Sequence, residues 1–143
     1  MNFNDGFGGG SKVAGNLMFS TVMESGDHGP FNSWDRQVWT WLDDLGNTTV
    51  VKEYDEIYGN FFMGNYYGQE AIDNDDGSAY YETHHNFFAY ANTGMKNDFN
   101  GHDNHHHDNL YAFIGVGVGV CGALPTHEDK FYNNKVIQLG SGT

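Results

Sequence analysis

The sequence predicts an all-β fold, a parallel β-helix in which every turn of chain adds one strand to each sheet. Three observations carry that prediction. Helical periodicity is weak throughout, while 20 glycines are spread along the 143 residues. An Asn followed by two apolar or aromatic residues recurs as Asn16-Leu17-Met18, Asn60-Phe61-Phe62, Asn86-Phe87-Phe88 and Asn109-Leu110-Tyr111, with a weaker copy at Asn134-Lys135-Val136. The copies are spaced by 44, 26, 23 and 25 residues, so three of the four intervals share one period. An Asn-Asp pair also stands 12 residues before the Asn in three copies: Asn4-Asp5, Asn74-Asp75 and Asn97-Asp98.

A repeat of this length, built from short period-2 strands and Gly/Asn/Asp turns, is what a solenoid requires. Coils stack at about 4.8 Å, close enough for Asn side chains to bond the copies above and below. Asn also tolerates the left-handed backbone that a corner needs. Around each Asn the pattern reads as a strand, a corner and a second strand. In the first copy Lys12 is polar four residues before the Asn, Val13 apolar three before and Met18 apolar two after. The long link that follows contains all three tryptophans and is expected to be a loop insertion at about 24–46. The later copies read Glu56, Ile57 and Phe62, then Glu82, Thr83 and Phe88, then His105, His106 and Tyr111, and finally Lys130, Phe131 and Val136. Alternate residues of a strand face opposite ways, so the first position of each set points outward and the other two point inward. His106, in the inward column, is expected to be a hydrogen-bonded core histidine. The alternation from Ile114 to Val120 reads as a core strand with valines on one face and glycines on the other. Together these elements make one domain over residues 1–143, of five to six turns and without caps. Such a stack is only about 25 Å tall, which is expected of a fragment of a longer protein or of a protomer that stacks end to end on others.

Six Lys+Arg against 19 Asp+Glu leave a net charge of −13, without the basic clusters that nucleic acid or anionic lipid requires. Neither is an expected partner. The most apolar stretch, residues 112–124, is too short and too glycine-rich to span a bilayer. No signal peptide is visible at the start. The single cysteine, Cys121, excludes an internal disulfide, and its apolar neighbours predict a buried thiol.

Three blocks, Gly26-Asp27-His28-Gly29-Pro30-Phe31-Asn32-Ser33-Trp34-Asp35-Arg36, Glu70 through Ser78, and Gly101-His102-Asp103-Asn104, resemble segments of uncharacterised right-handed parallel β-helix proteins. With the repeat, they make nearly the whole chain resemble the pectate-lyase-like superfamily. The resemblance implies the right-handed fold, a secreted or extracellular setting and a carbohydrate-related role. It brings no assigned catalytic residues with it.

The outward strand face before the Asn column carries the candidate chemistry. Glu82 and His84 fall beside His105 and His107 when the copies are aligned, with Tyr58 and Tyr132 on either side. Carboxylates and imidazoles titrate where sugar acid–base chemistry needs them, and aromatic rings contact pyranoses. The same residues also suit a merely solvated strand face. Trp34 and Arg36, in the long link, are expected to lean over that face as sugar contacts. Asp73, Asp75 and Asp76, with Asp98 from the neighbouring turn, offer oxygen ligands for calcium, or an Asx-rich corner bonded to its own backbone. The expected function is that of an extracellular polysaccharide-active protein of lyase, hydrolase or epimerase type. The alternative is a non-catalytic carbohydrate-binding or self-assembling module. A polysaccharide or other glycan is the expected partner, together with end-to-end self-association.

Overall fold

The computed structural model describes residues 1–4, 9–24, 26–34, 40–50, 52–63, 69–120, 122 and 124–139. Its strands are β1 (Asn2–Asn4), β2 (Lys12–Ala14), β3 (Leu17–Phe19), β4 (Asn32–Trp34), β5 (Thr40–Leu42), β6 (Thr48–Val50), β7 (Asp55–Tyr58) and β8 (Phe61–Met63). They continue as β9 (Glu70–Asp75), β10 (Tyr81–His84), β11 (Phe87–Asn97), β12 (His105–His107), β13 (Leu110–Val120), β14 (Lys130–Tyr132) and β15 (Lys135–Gln138). No helix occurs among the described residues. One sheet runs β14-β12-β10-β7-β2, all parallel. A larger one runs β1-β4-β9-β11-β13-β15, with β8 also pairing β11 and β3 pairing β8. β5 and β6 form a separate antiparallel hairpin. The molecule is the expected parallel β-solenoid.

The small sheet shows why three or four residues per strand suffice. Val13, Ile57, Thr83 and His106 lie in one register column and are all buried, whereas the residues on either side of them are not. The chain then turns through a left-handed residue directly before each ladder Asn. Those residues are Gly15, Gly59, His85, Asp108 and Asn133, with φ of 67°, 63°, 54°, 54° and 55°. The left-handed conformation thus falls one position earlier than the sequence implied, on glycine, Asn, Asp or His, the residues that adopt it most readily.

The ladder itself is as expected. Each Asn side chain donates Nδ2 to the Oδ1 of the next copy, Asn16 to Asn60 at 3.0 Å, Asn60 to Asn86 at 3.0 Å, Asn86 to Asn109 at 3.1 Å and Asn109 to Asn134 at 3.0 Å. That same Oδ1 accepts the backbone N–H of the preceding ladder residue. The second Nδ2 hydrogen of Asn60, Asn86 and Asn109 reaches a strand carbonyl, that of Val13, Ile57 and Thr83. These buried amides therefore satisfy the corner that every coil has to make.

Behind the ladder, Phe62, Phe88 and Tyr111 stack with ring centroids 4.7 Å apart at each step, and Phe3, Phe31, Ile57, Ile72, Tyr81 and Met95 complete the core. Gly94 is required where β11 meets β13, because a Cβ there would stand 2.5 Å from the Gly117 carbonyl oxygen.

Four expectations change. The turn count is about three rather than five to six: five ladder copies enclose four intervals, and only those of 26, 23 and 25 residues are regular coils. The segment expected as an insertion contains β4, which pairs β1 on one side and β9 on the other. Asn74 does pair with Asn97, but Asn4 stands opposite Trp34, which stands opposite Asp75. Phe3 takes the inward position instead, and a shift of one residue flips every side chain of a strand. Finally, Val116, Val118 and Val120 are 51%, 40% and 49% exposed although Val118 continues the buried Ile72–Met95 column. Within the described residues β15 pairs with β13 only as far as Ile114, so no further strand lies on the valines.

Candidate functional site on the histidine-bearing face

The parallel register of the small sheet assembles the predicted patch. Glu82 pairs with His105 and His84 with His107, while Tyr58 and Tyr132 extend the second column at its two ends. The four rings Tyr58, His84, His107 and Tyr132 form one continuous stack, with centroid steps of 5.2, 5.0 and 4.7 Å and planes within a few degrees of parallel. Equivalent side chains must repeat at the coil pitch, so ring stacks on ring without any special contact. The ring faces are consequently turned to one another, and the polar contacts of the two imidazoles are made through their edges.

His107 is the best-connected member. Its Nε2 lies 3.1 Å from Glu82 Oε1 and its Nδ1 lies 2.8 Å from Asp108 Oδ2, so it joins a carboxylate of the preceding coil to its own corner. Hydrogen-bonding both carboxylates at once takes a proton on each ring nitrogen. The contact holds the Asp108 carboxyl below its usual range. His84 Nδ1 faces His85 Nδ1 at 2.9 Å, one ring donating and the other accepting. Burial pulls the His84 imidazole below the usual histidine range, and His107 adds to the effect. Burial does the same to His105, with Lys130 adding to it, and the Tyr54 hydroxyl stands 3.4 Å from His105 Nε2. Glu56 is engaged by Lys12 at 3.0 Å.

Beside this patch, across the Asn corner, runs a surface groove of about 590 Å³. Phe61, Phe87 and Leu110 form its apolar side, and His85, Asp108 and Lys135 its polar side. His85 and Asp108 therefore belong to both features. Neither was evident from the repeat alignment, because both occupy the left-handed corner rather than a strand.

The other predicted residues lie elsewhere. Trp34 is in β4 of the larger sheet, in register with Asp75, and does not lean over the histidine face. Being part of a paired strand rather than a free loop fixes it there. Arg36, Trp39 and Cys121, and the side chain of Trp41, are outside the described residues. The acidic group surrounds an amine: Lys96 Nζ is 3.1 Å from Asp73 Oδ1, 3.2 Å from Asp75 Oδ1 and 3.2 Å from Asp98 Oδ2. Asp76 is a corner residue with φ 49°, whose N–H donates to Asp75 and Asp98. Burial pushes Asp73 up to about 8 and nearby Glu70 up to about 7. Burial also opposes the Lys96 charge, yet the carboxylates outweigh it and hold that amine above its usual range. His106 is the expected core histidine, fully buried, with Nε2 3.1 Å from Asn97 Oδ1, and burial depresses it to about 3.

No protein-family model, curated protein or solved structure matches this chain, so its kinship is stated at the level of architecture, a parallel β-solenoid of about three turns.

Proposed function

We propose that this chain is an extracellular polysaccharide-active protein of lyase, hydrolase or epimerase type, a distant relation of the pectate-lyase-like superfamily. The observation that carries the reading is the Glu82–His107–Asp108 relay at an outward strand face and its corner, beside a groove of about 590 Å³. His84 and His105, held below the usual histidine range, are neutral at pH 7 and serve as proton acceptors. The Glu82–His107 pair supplies the proton donor, and the hydroxyl edges of Tyr58 and Tyr132 contact the glycan. A net charge of −13 repels polyuronates, so neutral glycans rank first, or acidic ones bridged by calcium. Calcium at Asp73, Asp75 and Asp98 would have to displace the Lys96 ammonium that they now surround.

A second reading, a self-assembling or glycan-binding module without turnover, is favoured by one observation. Among the described residues no strand pairs with β13 beyond Ile114 on the β15 side, where its exposed valine row would meet another chain.

The deciding experiment incubates the purified chain with neutral and acidic polysaccharides, with calcium or with a chelator, and reads reducing ends, unsaturated products and bound glycan together. Turnover that disappears in His105→Ala/His107→Ala supports the enzyme. Turnover retained in that variant removes the proposed site. Binding without turnover, with ordered multimers in micrographs, favours the second reading.

A further inference from the structure

We propose that His102, Asp103 and His127 form a binding site for a divalent transition metal, zinc foremost, that ties two successive coils together. The three residues are separate from the Glu82–His107 patch. His102 and Asp103 lie just ahead of β12, where His102 forms a parallel bridge with Ala79 of the coil before. His127 arrives from the following coil in a tight turn closed by its N–H donating to the Leu124 carbonyl at 3.1 Å. Asp103 takes a left-handed backbone, φ 54°, which Asp tolerates better than most residues.

The side chains converge on a single atom. His102 Nδ1 is 2.9 Å and His127 Nδ1 is 2.7 Å from the same oxygen, Asp103 Oδ2. One ligand atom from each of the three lies within 4.8 Å of the others, and the set is the one such three-residue group among the described residues. Two imidazoles aimed at one carboxylate oxygen are the donor set of a two-histidine, one-carboxylate site. Imidazole nitrogen selects zinc and its neighbours over calcium, which prefers oxygen alone. Tyr80 meets His102 edge-on, with centroids 5.5 Å apart, and burial together with the nearby Asp103 carboxylate holds its hydroxyl above the usual tyrosine range, so one ligand ring already has a neighbour that orients it. The side chains are 18%, 26% and 39% exposed, which admits the ion and leaves a further coordination position to water. In the metal-free arrangement each ring donates Nδ1–H to Asp103. On binding, each ring gives up the Nδ1 proton and offers Nδ1 to the ion, keeping its remaining proton on Nε2. The His84–His85 pair differs because its two Nδ1 atoms face each other without a third donor.

The test titrates zinc chloride into the whole chain against a chromophoric chelator, for wild type, His127→Gln, Asp103→Asn and the control His105→Gln/His107→Gln. Wild type and control are expected to bind one equivalent with equal affinity, and each of the other two variants to lose at least about tenfold. Nitrogen-15 spectra of the wild-type imidazoles supply a measurement that needs no variant: zinc should convert His102 and His127 to the Nδ1-bound form and leave His105 and His107 unchanged. Equal affinity in His127→Gln, or zinc-induced shifts confined to His84, His85, His105 and His107, would overturn the proposal.

Discussion

Two ring columns run along this solenoid, and they differ in what surrounds them rather than in how they are built. Phe62, Phe88 and Tyr111 stack inside the larger sheet at 4.7 Å steps, while Tyr58, His84, His107 and Tyr132 stack outside the smaller one at 4.7 to 5.2 Å. Both follow from one pitch and one register. The inner column is closed to solvent and carries stability through burial. The outer column is partly open, and polar neighbours at the corner hydrogen-bond its two imidazoles. A solenoid can therefore place functional groups at regular steps without shaping a pocket, since the coil spacing does the positioning.

The contrast is broken most severely from the inside. Phe88→Ala should cost about 4 kcal/mol, because the ring is wholly buried between two others and the coils cannot close over the void; urea unfolding would read it. Asn86→Ala should cost about 3 kcal/mol, since the Ile57 carbonyl and the Asn60 N–H lose their partner away from water. The same unfolding assay should place it just below Phe88→Ala.

Acid acts next. The folded-state value of His106, about 3, lies below that of the unfolded chain, so burying it neutral favours folding fully above about pH 6.5. That contribution is lost as the pH falls through 6.5 toward 3, up to about 3 kcal/mol by pH 4. His106→Leu should flatten this part of the stability–pH profile, and an unchanged slope would show that another group governs it.

The smallest expected effect on stability comes from the outer column. His84→Ala should shift unfolding by less than about 1 kcal/mol, as the ring is only partly enclosed. If the proposed chemistry holds, the same change should abolish turnover or reduce it by about a hundredfold. The acid limb of wild-type activity should fall below pH 6.5, because burial lowers both His84 and His105.

Much of the small sheet was legible because its information is local. Val13, Ile57, Thr83 and His106 announce an inward column by their spacing, and the five Asn residues announce their corner. The pairing of Glu82 with His105 and of His84 with His107 followed from that alignment alone. Trp34 was misplaced because nothing in its neighbourhood marks the short Asn32–Trp34 strand as part of the larger sheet rather than a loop. The His102–Asp103–His127 group was missed because His127 lies in a turn between copies, outside every aligned column. Lys96 likewise stands beside Asp75 and Asp98 in the alignment only as a neighbouring residue, and its place among three carboxylates depends on how β9 and β11 pair.

The sequence by itself determined the repeat, the Asn ladder and the inward or outward sense of the columns around it, since a period of 2 within strands and of about 25 between coils is written along one chain. Only the tertiary structure decided which side chains are covered and which polar groups meet. Val118 and Met95 share a column yet differ in exposure, and His102 and His127 meet at one oxygen across coils. Burial and convergence are properties of the neighbouring coil, and a residue's own stretch of chain does not specify what is laid against it.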